Sequence, residues 1–87
     1  MQVAQIHEPV KVRADFLPGG TVVPLLFKRR DQRVFRVRQV NSTWEDTEQE
    51  STRLHFSVTT DRSDDAYQLC YQAEDRTWWL DSVMMDG

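Results

Sequence analysis

Apolar side chains in this chain recur at every second position, in short blocks. Val10, Val12, Ala14 and Phe16 alternate with Lys11, Arg13 and Asp15; Leu54, Phe56 and Val58 alternate with His55 and Ser57; Tyr67, Leu69, Tyr71 and Ala73 alternate with Gln68, Cys70 and Gln72. A period of two places successive side chains on opposite faces of an extended strand, whereas an amphipathic helix needs apolar residues three and four apart over a longer stretch. No segment carries a convincing helical pattern, so the chain is restricted to strands and the turns between them.

The turns are marked by their own chemistry. Leu17-Pro18-Gly19-Gly20 joins a residue that presets φ to two that accept positive φ, and Thr21 to Phe27 after it reads as a strand interrupted by Pro24. Proline has no ladder donor, so Pro24 belongs at a sheet edge or a bulge. Lys28-Arg29-Arg30-Asp31-Gln32 reads as the next turn. In the following segment Phe35 and Val37 lie on one parity and Val34 and Val40 on the other, which a straight strand cannot bury on one face, so a bulge or strong bend is expected. Glu45 to Ser51 is acidic, nearly devoid of apolar residues and shorter than the roughly 12–15 residues an isolated helix needs, and reads as a loop with room for one helical turn. Asp61-Arg62-Ser63-Asp64-Asp65 and Glu74-Asp75-Arg76-Thr77 have the composition of hairpin loops.

The expectation is an all-β domain: a small antiparallel meander of about six strands, near residues 10–16, 21–27, 33–43, 53–60, 66–73 and 78–83, curled into a barrel or folded as a compact sandwich. Residues 1–9 read as a flexible N-terminal tail and residues 10–87 as a single domain, with Phe35, Val37, Leu54, Phe56, Val58, Tyr67, Leu69, Tyr71 and Leu80 forming most of the core. The 87 residues suffice for one such unit and not for two.

Several chemistries have no support in the sequence. No apolar run approaches the roughly 20 residues that span a bilayer, and Met1 to Val10 lacks the basic start and apolar centre of a signal peptide, so no membrane association and a cytoplasmic location are expected. Asn41-Ser42-Thr43 matches a glycosylation acceptor, a pattern that matters only in secreted chains. Cys70 is the single cysteine, which excludes an intrachain disulfide. It lies between Leu69 and Tyr71 with no basic residue nearby in sequence, and reads as a small packed residue rather than a nucleophile. His7 and His55 have no third ligand at motif spacing, so neither a metal site nor a cofactor is expected. The acidic pairs Asp64-Asp65 and Glu74-Asp75 fall in turns, without the shaped cleft that separates the pKa values of catalytic carboxylates. Gly19-Gly20 leads into a strand and lacks the helix N-terminus of a phosphate loop.

Charge is distributed unevenly. Residues 1–44 hold eight Lys or Arg against three Asp or Glu, and residues 45–87 hold three against eleven, so a net charge of -3 conceals halves of +5 and -8. Lys28, Arg29, Arg30, Arg33, Arg36 and Arg38 concentrate the positive charge around one turn and the strand after it. A basic hairpin of this kind can follow a phosphate backbone, with Trp44 available for base stacking. Alternatively the arginines lay their stems on apolar surface and pair with acids of the second half, and the overall acidic balance opposes long-range attraction to nucleic acid. Trp78 and Trp79 are adjacent and must point to opposite faces of a strand: one belongs to the core, and the other, taken as Trp79, caps the domain or contributes to a binding surface.

The run Arg33-Val34-Phe35-Arg36-Val37-Arg38-Gln39-Val40 followed by Trp44, then His55-Phe56-Ser57-Val58-Thr59-Thr60, Ala66-Tyr67-Gln68-Leu69 and Thr77-Trp78-Trp79-Leu80, resembles a small bacterial domain family of unknown function. In that family a proline and a basic or aromatic segment precede the first long strand, as Pro24 to Phe27 do here. Its members occur alone and as a C-terminal appendage of some proteins related to Y-family translesion polymerases. The resemblance implies an all-β fold and an association with DNA repair, and it supplies no catalytic residue. The resulting expectation is a non-enzymatic binding or adaptor module, monomeric or weakly dimeric, with a protein partner. Direct nucleic-acid binding through residues 28–38 is the alternative. Lys28, Arg29, Arg30, Arg33, Arg36, Arg38, Trp44 and Trp79 are the candidate contact residues.

Overall fold

A computed structural model of the chain describes residues 2–85. These form seven strands and no helix: β1 (Gln2–Pro9), β2 (Lys11–Phe16), β3 (Val22–Lys28), β4 (Val34–Glu48), β5 (Ser51–Thr60), β6 (Ala66–Gln72) and β7 (Thr77–Met85). All pairs are antiparallel, in the order β1-β7-β6-β5-β4-β3-β2. The all-β meander expected from the alternation is therefore present, as a strongly curled sheet. It is not closed into a barrel. A five-stranded ladder (β1, β7, β6, β5, β4) and a three-stranded ladder (β4, β3, β2) share β4. Among the described residues no helix is long and apolar enough to cross a membrane.

The mixed parity of β4 has the expected cause. Residues Val34 to Arg36 pair with β3, and from Val37 onward the strand pairs with β5, with register shifts between Val37 and Gln39 and between Val40 and Ser42. The extra residue Arg38 changes parity, so that Val37 and Val40, three positions apart, both pack against the core. Pro24 also sits at a bulge. Arg13 pairs with Leu26 and Ala14 with Pro24, which expels Leu25 from the ladder and leaves it exposed while Pro24 is buried.

The curl encloses a core of Phe27, Phe35, Phe56, Val58, Tyr67, Leu69, Trp78, Leu80 and Val83. Phe27 and Phe35 stack at 5.0 Å between ring centroids and Tyr67 tilts against both, while Phe56 and Tyr71 pack on Trp78. Of the expected core residues, Phe35, Phe56, Val58, Tyr67, Leu69 and Leu80 are buried, and Val37, Leu54 and Tyr71 are partly buried against them. Phe27, Trp78 and Val83 are additions. Trp78 is thus the inward member of the tryptophan pair.

Two segments depart from expectation. Residues 2–9 are not a tail: β1 pairs with β7 from Gln2↔Met85 to Pro9↔Trp79, and the chain passes through Val10 directly into β2. Glu8 faces inward at 3% exposure, where its carboxylate accepts hydrogen bonds from Arg29 Nε (3.2 Å), Arg29 NH2 (2.8 Å) and the Arg30 backbone N–H (3.2 Å). That ion pair ties β1 to the β3–β4 turn. Residues 45–51 are not a loop either. β4 runs to Glu48, β5 begins at Ser51, and Gln49 and Glu50 make a two-residue turn with φ of 51° and 68°. Arg53 compensates the acidity of this hairpin by pairing with both Asp46 (2.9 Å) and Glu48 (2.7 Å) on the opposite strand.

Candidate functional site on the outer sheet face

With the core on the concave side, the other face of β4–β7 carries a row of chemically distinctive residues. Trp44 pairs directly with His55, His55 with Cys70, and Cys70 with Trp79, so the four side chains lie side by side on one face. Trp44 stacks on His55 at 5.3 Å and 10° and remains 44% exposed. His7 of β1 stacks on Trp79 at 4.7 Å and 13°. Two candidate residues on different hairpins, Trp44 and Trp79, therefore share one surface, with His55 and Cys70 buried between them.

The polar environment of this row is asymmetric. His55 Nε2 lies 2.8 Å from Asp46 Oδ2, while His55 Nδ1 is the one buried side-chain nitrogen or oxygen among the described residues that has no hydrogen-bond partner. Since a carboxylate oxygen only accepts, Nε2 donates to Asp46; in the neutral imidazole Nδ1 then carries a lone pair with no partner. Hydrogen bonds from Arg53 first, and from His55 second, hold the Asp46 carboxyl below its ordinary pKa. Burial, with the nearby Asp81 adding to it, pushes the Cys70 thiol up to about 11. Cys70 is accordingly no ready nucleophile at neutral pH.

Asp81 enters the row through a bulge. Leu80 pairs with Leu69 and Ser82 with Gln68, so Asp81 is an extra residue on β7 relative to β6. On the other side, Ile6 and His7 of β1 oppose it between the pairs Gln5↔Ser82 and Glu8↔Leu80, with His7 at a φ of 51°. These irregularities bring His7 Nδ1 to 3.6 Å from Asp81 Oδ1. They also gather His55, Cys70 and Asp81 so that one donor atom from each lies within 4.8 Å of the others. The three come from three strands at separations that no short motif describes; only the pairing register could have revealed them in the sequence.

The basic residues make a different picture. Arg29 and Arg30 approach Glu8, Arg33 pairs with Asp31 at 2.7 Å, and Arg38 pairs with Asp64 at 3.2 Å. The Arg36 backbone N–H donates to Asp61, while its side chain is exposed. Four of the six expected contact bases are thus engaged by carboxylates, three of those ion pairs reaching acids distant in sequence. Lys28 directly faces Lys11 across β2 and β3, and both line a concavity of about 290 Å³ with Arg29 and Arg30. Trp44 lies on a different element from this concavity and does not line it.

Comparison of the chain with protein-family models, with curated proteins and with solved structures returns no match.

Proposed function

We propose that this domain is a non-catalytic binding module that meets a protein partner through the outer face bearing Trp44 and Trp79. The observation that carries the reading is the placement of both indoles on one solvent-facing surface, away from the enclosed core. Tryptophan supplies large contact area at little conformational cost and is enriched at the energetic centres of interfaces. A role as an adaptor near DNA repair rests on the family resemblance, and a cytoplasmic location on the sequence reading of residues 1–10; both fit a domain whose acidic turns and high-pKa thiol offer no evident acid, base or nucleophile.

The test places a photo-crosslinking residue at exposed Ser42 on the outer face or at exposed Arg36 on the basic hairpin, in the full chain within its native host. The expected result is a discrete protein adduct from position 42 that disappears when Trp44 and Trp79 are changed to Ala. Adducts only from position 36, or adducts from position 42 insensitive to both substitutions, would contradict the reading.

Direct nucleic-acid binding is the second reading, and one observation favours it. Like charges placed directly opposite each other in a ladder are destabilising, and Lys11 against Lys28 beside Arg30 is a cost that an anionic ligand would offset. Binding of labelled oligonucleotides that weakens with salt at a log-log slope of about -0.7 to -0.9 per phosphate contact, and that Lys28→Glu removes, would establish it. The carboxylates already paired with Arg29, Arg30, Arg33 and Arg38 favour the opposite outcome, weak binding indifferent to that substitution.

A further inference from the structure

We propose that His55, Cys70 and Asp81 form a binding site for a divalent transition metal ion of the zinc class. The inference is independent of partner binding, since it rests on the donor atoms alone. One nitrogen, one sulfur and one carboxylate oxygen from adjacent strands lie within 4.8 Å of one another. Two of the three residues are nearly inaccessible, His55 at 7% and Cys70 at 3% exposure. A buried imidazole nitrogen without a partner is a cost that proteins rarely leave uncompensated, and His55 Nδ1 is in that state.

The surroundings of His55 match what a metal-bound imidazole requires. Ligating histidines donate their second ring N–H to a carboxylate or carbonyl, which fixes the tautomer and orients the lone pair of the other nitrogen. Asp46 performs this service at Nε2, at 2.8 Å, and is itself held by Arg53. The stacked indole of Trp44 fixes the ring plane from the opposite strand.

Ligand chemistry selects the class of ion. Magnesium and calcium prefer sets composed of oxygen, whereas a mixed imidazole, thiolate and carboxylate set suits zinc and its neighbours. Bonds of about 2.0–2.3 Å at tetrahedral angles put donor atoms roughly 3.3–3.7 Å apart, so the site closes by a movement of about 1 Å. Asp81 can supply that movement, because it sits in a bulge and its side chain is 26% exposed. His7 Nδ1, 3.6 Å from Asp81 Oδ1, stands at the open side. On binding, the Cys70 proton leaves to solvent and the sulfur takes the metal in its place. The ion would join β5, β6 and β7 at one point on the face opposite the core.

The experiment uses the full chain, reduced and stripped with a chelator, titrated with cobalt(II) as a spectroscopic probe and then with zinc. The expected result is a thiolate-to-cobalt charge-transfer band in the near ultraviolet that saturates at one equivalent and is displaced by one equivalent of zinc, but not by excess magnesium. Cys70→Ala should abolish the band. Because that change empties a buried position, Asp81→Asn at the partly exposed bulge provides the second variant, and it should weaken zinc binding at least tenfold. Asp46→Asn, acting through the orientation of His55, should weaken it about 10- to 100-fold. Absence of the band in the native chain, or zinc affinity in Asp81→Asn within threefold of the native value, would overturn the assignment.

Discussion

Replacing Glu8 with Ala should be among the most damaging single changes outside the apolar core. The carboxylate is 3% exposed and accepts three hydrogen bonds, two from the Arg29 side chain and one from the Arg30 backbone. Removing one partner of a buried ion pair costs about 3–5 kcal/mol, because the other charge stays desolvated. Arg29 retains 20% exposure and can recover part of its hydration by turning outward. The expected cost is therefore about 2–3 kcal/mol, which for a domain of this size lowers the melting temperature by roughly 10–20 °C. Removing both charges with Glu8→Leu and Arg29→Leu should restore much of the loss, since no buried charge remains unpaired. The pH dependence has a definite sign. Hydrogen bonding from Arg29, against an opposing cost of burial, holds the Glu8 carboxyl below its ordinary pKa of 4.5. Its contribution is complete above that value and is lost as pH falls through the lower folded value, so the native chain and Glu8→Ala should converge in stability in acid. Urea unfolding of the three proteins, at neutral pH and in steps below pH 4.5, reads all of this. A Glu8→Ala cost under about 0.5 kcal/mol, typical of exposed pairs, or a difference that persists undiminished in acid, would refute the reasoning.

Phe56→Ala should cost about 3–5 kcal/mol in equilibrium unfolding, since the ring is 3% exposed and packs on Trp78. Changing Gln49-Glu50 to Asn-Gly should stabilise the β4–β5 hairpin by about 1 kcal/mol, because both residues hold positive φ in a two-residue turn; an unchanged melting temperature would count against that turn geometry. Lys28→Glu should raise stability by about 0.2–1 kcal/mol by turning the Lys11↔Lys28 like-charge pair into an attractive one, with denaturant midpoints as the measure.

The fold was legible wherever one face of a strand is apolar and the other polar. β5 and β6 are of this kind: Phe56 and Val58, and Tyr67 and Leu69, point inward as their alternation requires. The β4 bulge was legible as well, because a parity conflict between Val37 and Val40 has few physical solutions. β1 was illegible for the converse reason. Its most buried residue is Glu8, while Val3 is 51% exposed, so an ion pair formed with a residue 21 positions away takes the place of an apolar face. The β4–β5 hairpin tip carries no apolar alternation because its cross-strand compensation is ionic, through Arg53. Of the candidate contact residues, Trp44 and Trp79 could be singled out by type, but their common face depends on a register through β5 and β6 that composition does not contain. The same holds for His55, Cys70 and Asp81, where spacing along the chain argued against a metal site and pairing across it gathers the donors.

Whether His55, Cys70 and Asp81 hold a metal ion on the outer face is read most directly by amide proton–nitrogen correlation spectra of the labelled full chain during a zinc titration. Resonance changes should be confined to residues around His7, His55, Cys70 and Trp79 to Asp81, should saturate at one equivalent, and should leave the amides of residues 28–38 unmoved. Changes centred on the basic hairpin, or spectra indifferent to zinc, would contradict that assignment.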